Sequence, residues 1–364
     1  VKGVLKVLNL EDRVAVCAAT TYAALQGRDK LNIKWSDGTM PDLDDQKVEQ
    51  ILEEHLANKC KEAHKVGDVN EALAHAAKTF ELTYKFPYIS HAALEPINCT
   101  AHVEKDRCRV WAPTQGQTFI QMAAMKVTGL PKEKIEIMTT WTGGGFGGKS
   151  YPDSAIDAMV ISKIMQRPVK VMWTREDDQA NDYLRPGSLH KLKAGIDENG
   201  KPVAWAHKTA CDSVMVSFMP EIAETGLDDT SYEGVHDNFY GFENMLVEYA
   251  MTRLPIKVGA WRSVGYSFNT YITETLIDEM AFAAGKDPVR YRLDLMEKNS
   301  RPYDALSLLA EKVNWAGSGA DGLFRGVAVT ECFGSSVAFM AEVSVDSKTG
   351  KVTLKSDLFY FLQN

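Results

Sequence analysis

Residues 143–150 read Gly143-Gly144-Gly145-Phe146-Gly147-Gly148-Lys149-Ser150, and two different chemistries claim this octet. As a bare pattern, Gly143, Gly148, Lys149 and Ser150 satisfy the phosphate-cradling loop of nucleotide hydrolases. There, backbone N–H groups hold phosphate, Lys reaches the outer phosphates and Ser holds magnesium. The flanks suit that setting, 134–138 reading as a strand and 155–165 as a helix. Such a site also needs an acidic residue ending a later apolar strand to hold the metal. The best stretch, 169–173 leading to Asp177, is interrupted by Lys170, Thr174, Arg175 and Glu176. Five glycines around one Phe suit instead a backbone that closely approaches a large rigid ligand, with the ring as its bulky contact. A glycine-rich strand-to-helix turn without any ligand is the plainer alternative.

Working outward, the 364 residues allow two or more domains and a sizeable core, and 45% hydrophobic residues are ordinary for a globular chain. A net charge of -8 argues against nonspecific nucleic-acid binding and favours a small-molecule or protein partner. Cys17, Cys60, Cys99, Cys108, Cys211 and Cys332 lack the close pairs that zinc or iron–sulfur sites need, so buried free thiols are expected. No run of 18 apolar residues and no signal-peptide pattern occurs, and the sequence begins with Val1.

Along the chain, 4–8, 13–18 and 31–35 read as strands and 22–29 as a short helix, an α/β unit cut at its front edge. A polar turn at 36–45 precedes helices at 45–61 and 70–77. Strands follow at 80–86, 100–103 and 109–112, then a helix at 117–128 ended by Gly129 and Pro131. Beyond the octet, 169–173, 189–196 and 203–211 read as strands, with a turn at 197–200 between the last two. Residues 217–239, acidic and aromatic, admit either a loop over a pocket or a helix packed elsewhere. Helices are expected at 270–285 and 288–297, and a further sheet begins with 327–345 and 352–354.

Four more features carry chemistry. His91-Ala92-Ala93-Leu94-Glu95-Pro96 sets His and Glu at a strand end, where an ion pair, a cap or an active-site wall are all open. Trp111-Ala112-Pro113-Thr114-Gln115 delivers an amide side chain just before a helix, where capping or solvation is the ordinary fate. Gly259-Ala260-Trp261-Arg262-Ser263-Val264-Gly265 is a tight loop whose Arg suits an anionic group or a surface salt bridge. The helix through Glu274-Thr275-Leu276-Ile277-Asp278-Glu279 reads as structural.

In this order, the five segments resemble the molybdopterin-binding large subunits of the xanthine dehydrogenase and aldehyde oxidase family. Within it they are most similar to the isoquinoline 1-oxidoreductase branch, and the resemblance extends over nearly the whole chain. It implies an α+β, multi-domain architecture truncated at both ends. Residues 1–36 would be the C-terminal part of an α/β-hammerhead-like domain, and 37–78 a helical linker. A mixed-sheet first molybdopterin-binding domain would fill 79–325, and 326–364 would begin the second.

The resemblance implies molybdenum held by molybdopterin rather than by protein side chains, with water as the oxygen source and the cofactor performing the redox step. By position, Gln115 would donate to an oxygen at the metal centre. Phe146 and the amides of Gly145 and Gly147 would pack on that centre, Arg262 would lie beside it, and Ser150 and Val264 would line the substrate pocket. Such prealigned donors stabilise developing negative charge.

Xanthine dehydrogenases carry Glu where this chain has Ser150, so the implied substrate is an N-heteroaromatic compound or an aldehyde rather than xanthine. The family's catalytic base sits in a Gly-x-Gly-Glu segment that this sequence lacks, and the terminal residues 357–364 leave the family pattern. The chain alone is therefore expected to be inactive. The resemblance further implies a separate iron–sulfur small subunit to take the electrons, and a periplasmic location. The competing readings are a noncatalytic remnant that only folds or binds, and a nucleotide hydrolase built on the octet. If the glycines serve a bound ligand, Lys149 should be dispensable and Gly147 should not.

Overall fold

The computed structural model describes residues 1–317, 319 and 322–363, so Asn364 and parts of the 79–325 and 326–364 expectations lie outside the described residues. The chain divides into two compact units, 1–43 and 44–364. In the first, β1 (Val4–Asn9) and β2 (Val14–Ala18) pair antiparallel and lead into α1 (Thr21–Arg28). Thr20 caps that helix by accepting from the Ala23 amide at 3.2 Å. The strand expected at 31–35 is irregular: a strand needs a ladder partner, and among the described residues none pairs with it.

The second unit opens with α2 (Asp45–Asn58), started by Asp44, whose carboxylate accepts from the Lys47 amide. Then come β3 (Lys61–Val66), α3 (Val69–Ala74), β4 (Lys78–Phe86), β5 (Asn98–Val103) and β6 (Cys108–Ala112). The expected linker 37–78 thus supplies a strand: β3 pairs with a strand far along the sequence, so this stretch is part of the unit rather than a connection to it. Next are α4 (Gln117–Thr128), β7 (Ile135–Thr139), α5 (Asp153–Met165), β8 (Val169–Met172) and α6 (Arg175–Ala180). The hairpin β9 (Ser188–Ile196) and β10 (Pro202–Asp212) follows, then α7 (Ile222–Thr225) and β11 (Met245–Thr252). The unit closes with α8 (Tyr266–Ala283), α9 (Pro288–Leu295), α10 (Arg301–Lys312), β12 (Phe324–Cys332), β13 (Ser335–Val345) and β14 (Val352–Gln363).

Three sheets result, giving a mixed α+β architecture. The five-stranded sheet has order β3-β11-β10-β9-β4, the four-stranded one β7-β6-β5-β8, and the three-stranded one β12-β13-β14. Strands β10 and β11 run parallel, as do β6 and β7; the remaining pairs are antiparallel. The central sheet is apolar on both faces. Leu189, Ala210 and Ala250 cover Leu52 and Leu56 of α2. On its other side, Trp205, Val247 and Tyr249 share the main core with Ile272, Leu276 and Met280 of α8, and with Val329 and Met340 of the three-stranded sheet. A separate core joins the four-stranded sheet to α4 and α5 through Val110, Ile120, Ala124, Ala158 and Met159. Because 326–363 shares the main core, it belongs with the second unit rather than opening a new one.

Candidate functional site

Parallel pairing of β6 and β7 sets Ala112 opposite Thr139, so the residues following both strands leave the sheet at the same edge. Gln115 follows one and the octet follows the other. Loops at the carboxyl ends of parallel strands are where α/β proteins place ligands. Here the two loops are stitched together: the Gln115 amide donates to the Lys149 carbonyl at 3.0 Å, and the Thr114 hydroxyl donates to the same oxygen. The Gly147 amide donates to Gln115 Oε1 at 3.0 Å. With Oε1 fixed by that bond, the Nε2 donor of an otherwise exposed Gln115 remains to face a ligand.

The glycines are needed, for a reason that corrects the sequence reading. A Cβ on Gly145 would lie 2.3 Å from Gln115 Oε1, and one on Gly147 (φ +111°) would lie 1.7 Å from the Ala260 carbonyl oxygen. The backbone approaches the protein's own chain, not only an external ligand. That approach draws in the third segment: the Arg262 amide donates to the Phe146 carbonyl at 2.8 Å. Gln115, Gly145, Phe146, Gly147 and Arg262 are therefore brought together. Phe146 is 42% exposed and the Arg262 side chain is exposed.

Ser150 closes the octet by donating its amide to the Gly147 carbonyl at 3.0 Å. Val264 lines a small pocket with Arg185, Trp261 and Phe268. Phe146 (φ +54°), Ser263 (φ +71°) and Val264 (φ +43°) hold left-handed backbone, and Ala92 (φ +46°) does so beside His91. Strain that clusters in this way is held by the surrounding contacts and marks a built site.

His91 and Glu95 supply those contacts, so the ion-pair reading of their segment holds. His91 is buried, with Nδ1 3.0 Å from Asp182 Oδ2 and Nε2 3.1 Å from the Ala260 carbonyl. Both neighbours are acceptors, so each ring nitrogen donates. The Ala260 amide in turn donates to the Tyr151 hydroxyl at 3.1 Å, which grips one peptide of the Arg262 loop from both ends. Burial raises the Asp182 carboxyl, but the bonds from His91 and Ser90 outweigh it and hold the group below its ordinary value.

Glu95 accepts from Lys149 Nζ at 2.6 Å and from the Gly143 amide at 2.9 Å. Its partial burial pushes its carboxyl up, yet Lys149, Gly143 and Asn98 lower it further than that. Lys149, its side chain 3% exposed, is spent on this pair. It cannot also reach out to a triphosphate, and this removes the central cation of the nucleotide reading. The expected dispensability of Lys149 fails for the same reason. Asp182 and Tyr151 escaped the sequence reading, and nothing in their spacing signals that they converge on Ala260.

The donor set left facing outward, an amide N–H₂, an aromatic ring and a guanidinium, offers hydrogen bonds and positive charge without a carboxylate. That chemistry fits an oxygen-rich anionic group such as molybdopterin.

The sequence matches the molybdopterin cofactor-binding domain family over residues 51–296. It is 28% identical to a subunit of nicotinate dehydrogenase from Pseudomonas putida, over 97% of this chain and 31% of that protein. It is 26% identical to the beta subunit of isoquinoline 1-oxidoreductase from Brevundimonas diminuta, over 94% of this chain and 46% of that protein. Quinoline 2-oxidoreductase from Pseudomonas putida 86 shares the fold with a TM-score of 0.64 at 20% identity, covering 81% of this chain and 42% of its own. The chain thus spans between about a third and a half of these curated relatives. The nicotinate relative is the stronger of the two curated matches, so the likeness stands at the family and not at the isoquinoline branch. With more than half its length inside the match, the chain belongs to the molybdopterin cofactor-binding domain family of the xanthine dehydrogenase and aldehyde oxidase type.

Proposed function

We propose that this chain is part of the large subunit of a molybdenum hydroxylase that oxidises N-heteroaromatic compounds or aldehydes with water as the oxygen source. The observation that carries the reading is the joining of Gln115, Phe146 and Arg262 through backbone bonds to one another's loops, with their side chains accessible. Molybdopterin, when bound, would supply the redox chemistry. Gln115 would donate through Nε2 to an acceptor on the cofactor, Arg262 would balance its negative charge, and the Phe146 ring would exclude water from one side. Ser150 and Val264 are proposed for the substrate side. Ser150, in place of a carboxylate, leaves room for an uncharged ring.

Electrons would pass to an iron–sulfur small subunit. Both curated relatives are named as single subunits of larger enzymes, which supports separate chains. No helix among the described residues is long and apolar enough to cross a membrane. A periplasmic location is proposed on the resemblance alone.

The test is elemental and isotopic. The large subunit containing this chain, made with its iron–sulfur partner in a host that produces molybdopterin, should carry molybdenum. Its product formed in ¹⁸O-labelled water should carry the label. This chain by itself, lacking a Gly-x-Gly-Glu segment, should turn nothing over with a dye acceptor. Product oxygen drawn from dioxygen, or ATP hydrolysis abolished by Lys149→Ala, would overturn the reading.

A further inference from the structure

Behind the Arg262 loop lies a buried cation without an anion. Arg185 is 6% exposed, and burial lowers its affinity for its proton. Its Nη2 donates to the Pro87 carbonyl at 3.2 Å, while its Nε is buried with no partner. No carboxylate among the described residues pairs with it. The guanidinium lies against two rings, 5.8 Å from the centre of Phe86 and 5.5 Å from that of Trp261. Cation–π contacts offset only part of the cost of burying a full charge. Its field is felt nearby: Arg185 is one of the charges that hold the buried His190 neutral, after burial itself and His207.

A second donor is stranded beside it, because the Trp261 indole Nε1 is also buried and unpartnered. Both residues line one small pocket, together with Cys211, Val264, Gly265 and Phe268, and no acidic side chain lines it. The first turn of α8 forms part of the wall and adds the positive end of an 18-residue helix. The Gly265 amide is already taken by Glu233, so the side chains of Arg185 and Trp261 supply the remaining donors. Space for water-sized centres is ≈ 10 Å³, about what one water, a halide or one carboxylate oxygen takes up. Water would satisfy the two N–H groups but would leave the charge uncompensated.

We propose that the pocket between Arg185, Trp261 and the start of α8 is an anion subsite that receives one carboxylate of the substrate. This rests on the reading of the Arg262 loop as the edge of the reaction site, and it deepens that reading by naming an acidic substrate class. Val264, proposed for the substrate pocket, lies in both walls. An N-heteroaromatic ring bearing a carboxylate would be held at its acidic end by Arg185, while the ring extends toward Val264. A free halide shares the same chemistry and would be the alternative occupant.

The test uses this chain without cofactor, so a failure of molybdenum loading or turnover leaves its outcome readable. The indole N–H resonance of Trp261, identified by its loss in Trp261→Phe, is followed during titration with a pyridine carboxylate, the matching uncharged carboxamide, and bromide. The expected result is a saturable shift with the carboxylate, at least about tenfold weaker with the carboxamide, and weakened by about tenfold or more in Arg185→Gln. Should Arg185→Gln fail to fold, the comparison of carboxylate with carboxamide on the unaltered chain still decides. No response to carboxylate or bromide would show a void or a water and overturn the proposal. A response to bromide alone would replace the substrate subsite with a structural halide and overturn it equally. Equal responses to carboxylate and carboxamide would show that charge plays no part.

Discussion

Gly147 and Lys149 lie two residues apart and fail for different reasons when replaced. A methyl at Gly147 meets the Ala260 carbonyl and must also adopt φ +111°. Gly147→Ala should therefore cost at least about 2–3 kcal/mol in denaturant unfolding and release the Arg262 loop. Lys149→Met leaves Glu95 with its Gly143 and Asn98 donors but no cation. Because Glu95 remains partly exposed, a cost of about 2–3 kcal/mol is expected rather than the upper range for buried pairs. In a double-mutant cycle, adding Glu95→Gln should recover part of that loss. Additive losses would show that the pair is not coupled. The need for glycine was legible in the sequence, because glycine runs signal close approach. What is approached was not, since Gln115 and Ala260 are brought in by tertiary structure.

Among the elements, α8 is fastened by one buried cation. Arg292 donates through Nε to Glu274 at 2.9 Å and through Nη1 to Asp278 at 2.7 Å, which ties α9 to α8. Glu274 also accepts from the Val329 amide of β12 and from the Tyr240 hydroxyl. The sequence marked this helix as structural, and these bonds are the reason. Arg292→Met would leave Glu274 buried and uncompensated at a cost of about 3–5 kcal/mol. Hydrogen exchange should show β12 and the following strands losing protection first. Uniform loss across the central sheet would contradict the hub. Helix α4 and the β9–β10 hairpin could be read locally, from a terminating glycine and a turn. Strand β11 could not, because a short apolar run does not distinguish strand from helix and its partners lie at 61–66 and 205–212. Residues 217–239 resisted for a similar reason. Their acidic side chains cap short turns and bind the start of α8, as when Glu233 accepts from Gly265 and Asp237 from Tyr266.

Across the whole molecule, acid stability should be governed by two histidines inside the central sheet. His190 and His207 are buried, 3.0 Å apart between ring nitrogens. Burial, then each other's charge and that of Arg185, pushes His190 down, and burial pushes His207 down to about 3. The unfolded chain takes up protons near pH 6.5 that the folded chain refuses, so stability falls as pH drops below that value. The expected slope is about 1.4 kcal/mol per pH unit for each histidine. Glu95 and Asp182, held low in the folded state, withdraw their contribution only below the ordinary carboxylate range. Urea midpoints should therefore decline between pH 6.5 and 5, and a His207→Gln variant should decline less. A flat profile would show that the pair is not held neutral.

At this scale the family was legible from five ordered segments. The parallel pairing of β6 with β7 that assembles the site was not, because register between strands separated by a helix leaves no local trace. The most direct measurement is hydrogen exchange of the chain with an excess of released molybdopterin cofactor, and separately with magnesium ATP. The account predicts protection confined to the segments around Gln115, 145–147 and 261–265 with the cofactor and none with ATP. Protection of the octet by ATP, or no protection of these three segments by the cofactor, would contradict it.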